Sequence, residues 1–167
     1  VRGCGTLAVP VVLFGNRNFD DGLIELENIL WNDGLCAISA GAFVGEHAFS
    51  DSLGRGRPDG EDMKLAVRLA KQTAERVRRL ERTPMHPVAV DGCTPLRPYY
   101  TPRDRNGVPI NILKVKPKTD RKKCIGCGLC AELCPMGSIS RDDPTQVNGV
   151  CMKCCACVKK CPDGAKY

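Results

Sequence analysis

The sequence predicts an α/β domain built on a parallel sheet, followed by a small α+β domain. Three observations support this division. In residues 1–82, two apolar runs of strand length alternate with two segments of helical periodicity, which is the order of a parallel β-α-β-α unit. Residues 83–118 hold seven of the prolines. Nine of the twelve cysteines fall in residues 119–167, and eight of them are regularly spaced.

The first strand is predicted over residues 7–14 (LAVPVVLF), an apolar run typical of a strand buried on both faces of a parallel sheet. Pro10 is tolerable there only at an edge or near the start of the strand. A polar loop, residues 15–21, follows the run. A helix is then predicted from about residue 20 to residue 31, and Asp33-Gly34 should end it.

The second unit repeats this order. A buried strand is predicted over residues 35–44, then a polar loop at 45–50, and then a long helix over residues 61–82 with Asp59 as its cap. The helix is predicted to bury a stripe of residues at helical spacing: Met63, Val67, Ala70, Ala74 and Val77. Ligands of open parallel sheets bind beyond the carboxyl ends of the strands, so the two polar loops are the candidate binding region.

The proline-rich residues 83–118 are predicted to form an extended, semi-rigid connector, with a short strand over residues 110–115. The predicted domains are therefore residues 1–82, the connector 83–118, and the cysteine-rich domain 119–167.

The cysteine-rich domain contains the pattern C-x2-C-x2-C-x3-C-P twice. Every cysteine of the second copy lies 27 positions after its counterpart (151 minus 124, 161 minus 134), so the pattern is an internal repeat. This spacing is that of ligands to 4Fe-4S clusters, in which the fourth cysteine of each run binds the other cluster. The sequence thus predicts two clusters with crossed ligands. One set is Cys124, Cys127, Cys130 and Cys161, and the other is Cys134, Cys151, Cys154 and Cys157.

Zinc and disulfides are the alternatives for these cysteines. A zinc ribbon uses two separated C-x2-C pairs, whereas each run here has four cysteines and ends in proline. Disulfides suit small secreted domains, and cysteines this crowded are geometrically hard to pair. Cys155 stands where the first copy has Gly128, and we expect it to be a small buried thiol, not a ninth ligand.

Charge and composition restrict the partners. Thiolates committed to iron require a reducing interior, so we expect a cytoplasmic protein, and no apolar run approaches membrane-spanning length. The net charge is +6, and lysines lie among the cluster ligands, which predicts a redox partner with an acidic docking surface. Nucleic acid is disfavoured because no aromatic residues interleave these charges.

Residues 119–167, with the motifs CIGCGLCAELCP and CMKCCACVKKCP, resemble the bacterial two-cluster ferredoxins. Residues 5–82, with GNRNFDD and ISAGAFVGEHAFS, resemble the last two strand–helix units of a flavodoxin-like domain. The whole order resembles a prokaryotic fusion of these two domains, and the N-terminal part of the flavodoxin-like domain is then missing. The resemblance implies FMN in the full-length protein, with Asn16, Arg17, Phe19 and His47 beside the flavin.

Two functions follow from these features. The chain is expected to be an electron carrier, passing single electrons between a flavin and a redox partner. The alternative is a flavin-dependent reductase that uses the clusters as internal wiring to reduce its own substrate, for which Glu46 and His47 are the candidate acid–base pair. A non-redox iron–sulfur module is a third, weaker reading. Whether the chain is an enzyme stays open.

Overall fold

A computed structural model describes residues 2–167, and in it the chain forms two compact units that divide between Pro98 and Tyr99. The first unit has the order β1 (Thr6–Ala8), β2 (Val11–Phe14), α1 (Gly22–Asn32), β3 (Leu35–Ala37), β4 (Gly41–Val44) and α2 (Gly60–Arg79). β1 pairs with β3, and β2 pairs with β4, both in parallel. The first unit is therefore α/β with short parallel strands.

Each predicted strand is split into two. Pro10 separates β1 from β2, because it has no N–H to donate to a neighbouring strand. Residues 38–40 separate β3 from β4 opposite this break. Hydrogen bonds continue on both sides of it: Ile38 N–H donates to the carbonyl of Ala8 at 3.0 Å, and Gly41 N–H donates to that of Pro10 at 3.1 Å.

The prediction that residues 7–14 are buried on both faces is wrong. Pro10 is buried and Val12 half-buried, but the alternate residues Val9, Val11 and Leu13 are exposed, Leu13 at 77%. Successive side chains of a strand point to opposite faces. Within this unit only one face of residues 7–14 is covered. The apolar run in the sequence therefore predicts where strands form, but it does not predict that both of their faces are buried.

Helix α1 lies close to its predicted bounds. It buries Leu23 and Glu27 and ends at Asn32, with Asp33 as its C-cap and Gly34 next in the left-handed region at φ +79°. A Cβ on Gly34 would stand 2.4 Å from the carbonyl oxygen of Gly3, so this stop requires glycine.

Helix α2 has the predicted cap, but it turns a different side to the sheet. The Asp59 carboxylate accepts from the N–H groups of Glu61 and Asp62, and the Asp62 carboxylate accepts from Asp59 N–H, which completes a capping box. Asp62 is also ion-paired with Arg57 and is buried. The buried or half-buried side is Asp62, Ala66, Leu69 and Thr73. The predicted stripe of Met63, Val67, Ala70, Ala74 and Val77 is exposed, so that prediction is wrong.

Residues 83–98 are hydrogen-bonded to the rest of the first unit. The Thr83 hydroxyl donates to the carbonyl of Gly5, and Val88 N–H donates to that of Ala37. The buried Asp21 carboxylate accepts from Cys93 N–H, Arg97 N–H and the Arg97 guanidinium. The hydrogen bonds from Arg97 lower the pKa of Asp21 to about 2.

The second unit, Tyr99–Tyr167, is held by short antiparallel contacts and two one-turn helices, α3 (Leu129–Glu132) and α4 (Ala156–Lys159). Its C-terminal residue pairs with an earlier segment, because Lys118 and Tyr167 exchange backbone hydrogen bonds of 2.7 and 3.1 Å. Thr119 bridges Lys166, and Ile139 bridges Val147.

The predicted strand over residues 110–115 is instead a 3₁₀ turn, Ile112–Lys114. The Asn111 side chain accepts from Leu113 N–H and starts this turn, so that strand prediction is wrong. Among residues 2–167, no helix combines the length and the apolar character needed to cross a membrane.

Candidate metal centre

The two cysteine runs adopt the same local structure. In each copy a loop carries the first two cysteines, a helical turn carries the third, and the fourth follows the turn. Helix α3 holds Cys130 and helix α4 holds Cys157, and these two helices pack against each other. The repeat seen in the sequence is thus a repeat of backbone conformation.

One cavity is lined by cysteines from both copies. Three come from the first copy and one from the second, so the side chains predicted as one crossed ligand set surround the same space. We call this set the first site: Cys124, Cys127, Cys130 and Cys161. Apolar groups, including Ile125, Leu129 and Pro144, complete its wall.

The other set, which we call the second site, comprises Cys134, Cys151, Cys154 and Cys157. Burial raises the pKa of Cys157, and negative charge on Cys154 and Cys151 raises it further. The turn after Cys134 is bound to the segment before Cys151, because Asn148 N–H donates to the carbonyl of Ser138 at 2.8 Å. The Ser138 hydroxyl donates to the carbonyl of Val150 at 2.5 Å.

Backbone N–H groups point at the two crossing cysteines. Ser138 N–H donates to Cys134 Sγ at 3.4 Å, and Ala165 N–H donates to Cys161 Sγ at 3.3 Å. Burial by itself would raise the pKa of both thiols, but the surrounding backbone N–H groups outweigh it and lower both pKa values. Such groups stabilise sulfur in its anionic form, which is the form that binds iron.

The donor set fits an iron–sulfur cube. Four thiols around one cavity, with N–H groups directed at sulfur, are what a cube with a thiolate on each of its four irons requires. Within the described part of the chain, no three Cys, His, Asp or Glu side chains converge on a single metal ion. None of the described cysteines forms a disulfide.

The second copy holds its loop in a conformation that suits glycine. Gly126 and Gly128 of the first copy have φ +71° and +74°, and their counterparts Lys153 and Cys155 have φ +62° and +56°. Cys155 is half-buried at the start of α4, and burial raises the pKa of its thiol. It is not among the residues that line the cavity of the first site.

In the first unit, the two polar loops predicted to flank a flavin lie side by side. A Cβ on Gly15 would stand 2.9 Å from Cδ2 of His47, and one on Gly54 would stand 3.3 Å from Cβ of Asn16. Gly45 N–H donates to the carbonyl of Phe14 at 2.8 Å, which joins the ends of β2 and β4. The structure thus brings Asn16 and His47 to the same edge of the sheet.

The side chains of these loops also bind one another. The Phe19 ring packs on Phe14, with centroids 5.4 Å apart, and Arg17 is ion-paired with Asp20. His47 Nδ1 accepts from Phe49 N–H at 3.1 Å. Glu46 Oε1 accepts from Gly56 N–H at 3.0 Å, so the candidate acid–base pair takes part in holding the loop.

The position of one residue, Lys166, at the first site was not predicted from the sequence. Lys166 is buried and lines the cavity of the first site. The 27-residue repeat could have indicated it, because it aligns Lys166 with the apolar residue Ile139.

One family model matches a part of the chain. Residues 117–140 match the model of the 4Fe-4S binding domain, which spans the first cysteine run. None of the curated proteins and none of the solved structures matched the chain. The chain therefore contains a ferredoxin-type iron–sulfur region, and its cysteines fit at least one 4Fe-4S cluster.

Proposed function

We propose that the chain is an electron-transfer protein with two 4Fe-4S clusters, which passes single electrons between a flavin and a redox partner. The observation that carries the proposal is the lining of the first site, where Cys161 joins Cys124, Cys127 and Cys130 of the other copy. Such a contribution from the far run is what the crossed two-cluster ligand pattern requires.

Clusters bound at the two sites would supply reversible one-electron chemistry. The chain contributes the thiolates, the N–H groups of Ser138 and Ala165 directed at sulfur, and apolar walls that limit water. Cys130 and Cys157 lie on α3 and α4, which pack against each other, so one ligand of each site stands at this helix contact.

A partner would dock on the positively charged residues next to two cysteines of the first site, Cys124 and Cys161. Lys122 and Lys123 are exposed just before Cys124, and Lys160 is exposed just before Cys161. An acidic partner would be steered to this surface, and its association should weaken as salt is added. Because the thiolates need a reducing environment, we assign the protein to the cytoplasm.

The flavin belongs to this protein or to its partner. The adjacent loops at the carboxyl ends of β2 and β4 support a site on this chain, with Asn16, Arg17, Phe19 and His47 as its residues and FMN as the ligand. Phe19 would then have to leave its packing on Phe14 or to present its opposite face.

Cysteine variants test the crossed ligand sets. Cys161→Ser should impair the cluster of the first site, and Cys134→Ser should impair that of the second, each leaving the other cluster spectroscopically normal. Cys155→Ala is the matched control, because it removes an adjacent thiol that we do not count as a ligand, and it should retain the full iron content. Iron, sulfide and flavin are measured after anaerobic purification, with EPR spectra of the reduced protein. Damage confined to the cluster nearest in sequence would contradict the crossed assignment.

A further inference from the structure

The two halves of the iron–sulfur unit differ at one buried position. The repeat aligns Ile139 with Lys166 (139 plus 27), and both side chains are buried, at 5% and 4% exposure. Both residues lie five positions after the crossing cysteine of their run, Cys134 or Cys161. The second half thus has a buried lysine at the position where the first half has a buried isoleucine.

The ammonium group of Lys166 lies at the cluster sites. Its Nζ donates to the carbonyl of Pro144 at 2.7 Å, and both residues line the cavity of the first site. The same carbonyl also accepts from the Cys130 thiol at 4.0 Å. Lys166 therefore lies beside the first site.

Among residues 2–167, no carboxylate forms an ion pair with Lys166, and Asp163, which lines the same cavity, is exposed. A buried ammonium group with one carbonyl acceptor is unfavourable unless negative charge lies nearby. Thiolates and the cluster that they hold are the negative charge available at this place.

We propose that Lys166 raises the reduction potential of the cluster at the first site, which makes the two clusters electronically unequal. This inference rests on the proposed two-cluster function. Reduction takes one electron from a donor and adds one negative charge to the site, and no proton moves at Lys166. A fixed buried cation stabilises that added charge, more strongly at the site whose wall it forms, and net charge and burial are among the factors that set cluster potentials.

The test compares the two cluster potentials of Lys166→Ile with those of the unaltered protein, in EPR-monitored redox titrations of anaerobically loaded protein. Isoleucine is the residue that the repeat itself uses at this position. We expect the higher of the two reduction potentials to fall by at least about 59 mV, which is a tenfold decrease in the equilibrium constant for one-electron reduction. The gap between the two potentials should narrow.

Two further variants separate charge from packing. Lys166→Gln removes the charge but keeps an N–H donor near Pro144, so it should lower the potential as Lys166→Ile does, and it serves if the isoleucine variant fails to fold. Lys118→Ile removes an exposed charge beside the same strand pair, and water should screen its effect to less than twofold.

Iron and sulfide content distinguishes failure of the two-cluster function from failure of the proposed effect of Lys166 on the reduction potential. If the unaltered protein holds two clusters and the potentials do not change in the Lys166 variants, this inference fails and the proposed function stands. An equal shift in Lys118→Ile also overturns it. If the unaltered protein does not hold two clusters, the proposed function fails and this inference fails with it.

Discussion

The left-handed backbone at Cys155 predicts that replacing it with glycine makes the second cysteine loop more stable than replacing it with alanine. Both variants lose the thiol, but only glycine, which has no Cβ, adopts φ +56° without steric strain. The left-handed conformation costs an ordinary residue about 1–2 kcal/mol. The greater freedom of glycine in the unfolded chain offsets about 0.5–1 kcal/mol of this. Cys155→Gly is therefore expected to stabilise the loop by about 0.5–1 kcal/mol relative to Cys155→Ala.

The measurement is the rate at which guanidinium chloride bleaches the visible absorbance of the loaded protein under anaerobic conditions. If the loop opens before the cluster is lost, that gain slows bleaching of Cys155→Gly about two- to fivefold relative to Cys155→Ala. Both variants should keep the iron content of the unaltered protein.

The reverse substitution, glycine to alanine, can be made at the equivalent position of the first copy. Gly128 is the counterpart of Cys155, has φ +74°, and has no protein atom within 4 Å of the place where a Cβ would stand. Gly128→Ala should therefore speed bleaching by a similar factor through backbone strain alone. The reasoning is refuted if Cys155→Ala is as stable as Cys155→Gly, or if either variant loses iron.

The remaining predictions concern the first unit. Asp21→Asn should lower the thermal stability at neutral pH. Because the pKa of Asp21 falls from about 3.9 in the unfolded chain to about 2 in the folded chain, its contribution is present above pH 4 and is lost as the pH falls towards 2. Melting followed by circular dichroism should show the two proteins converging over that range, and a constant difference would contradict the role of Arg97. Asp59→Ala should cost about 1 kcal/mol of stability through loss of the helix cap. Glu61→Ala, in the same turn but ion-paired only at the surface, should cost less than about 0.5 kcal/mol; equal losses would remove the capping argument.

Local signals in the sequence predicted much of the fold. The cap at Asp59 and the stop at Gly34 depend on residues within one turn of the helix end, so they could be predicted without knowing the tertiary structure. The cysteine repeat likewise predicted the ferredoxin-type region, because ligand spacing is itself local.

Burial could not be predicted in the same way. The stripe at Met63 and the run ending at Phe14 are apolar, but which side of an element is covered depends on its neighbours in space. Asp62 is a clear case, since its bonds to Arg57 and Asp59 place a charged residue on the buried side of α2. The burial of Lys166 has the same origin, because its ammonium group donates to the carbonyl of Pro144, 22 positions away in the sequence.

The most direct test of the two-cluster proposal is the number of iron and acid-labile sulfide atoms that each chain holds after anaerobic reconstitution and removal of unbound metal. Two cubes predict about eight irons and about eight sulfides per chain. About four of each would show a single cluster, and zinc without sulfide would replace the iron–sulfur assignment altogether; either result would contradict the proposed function.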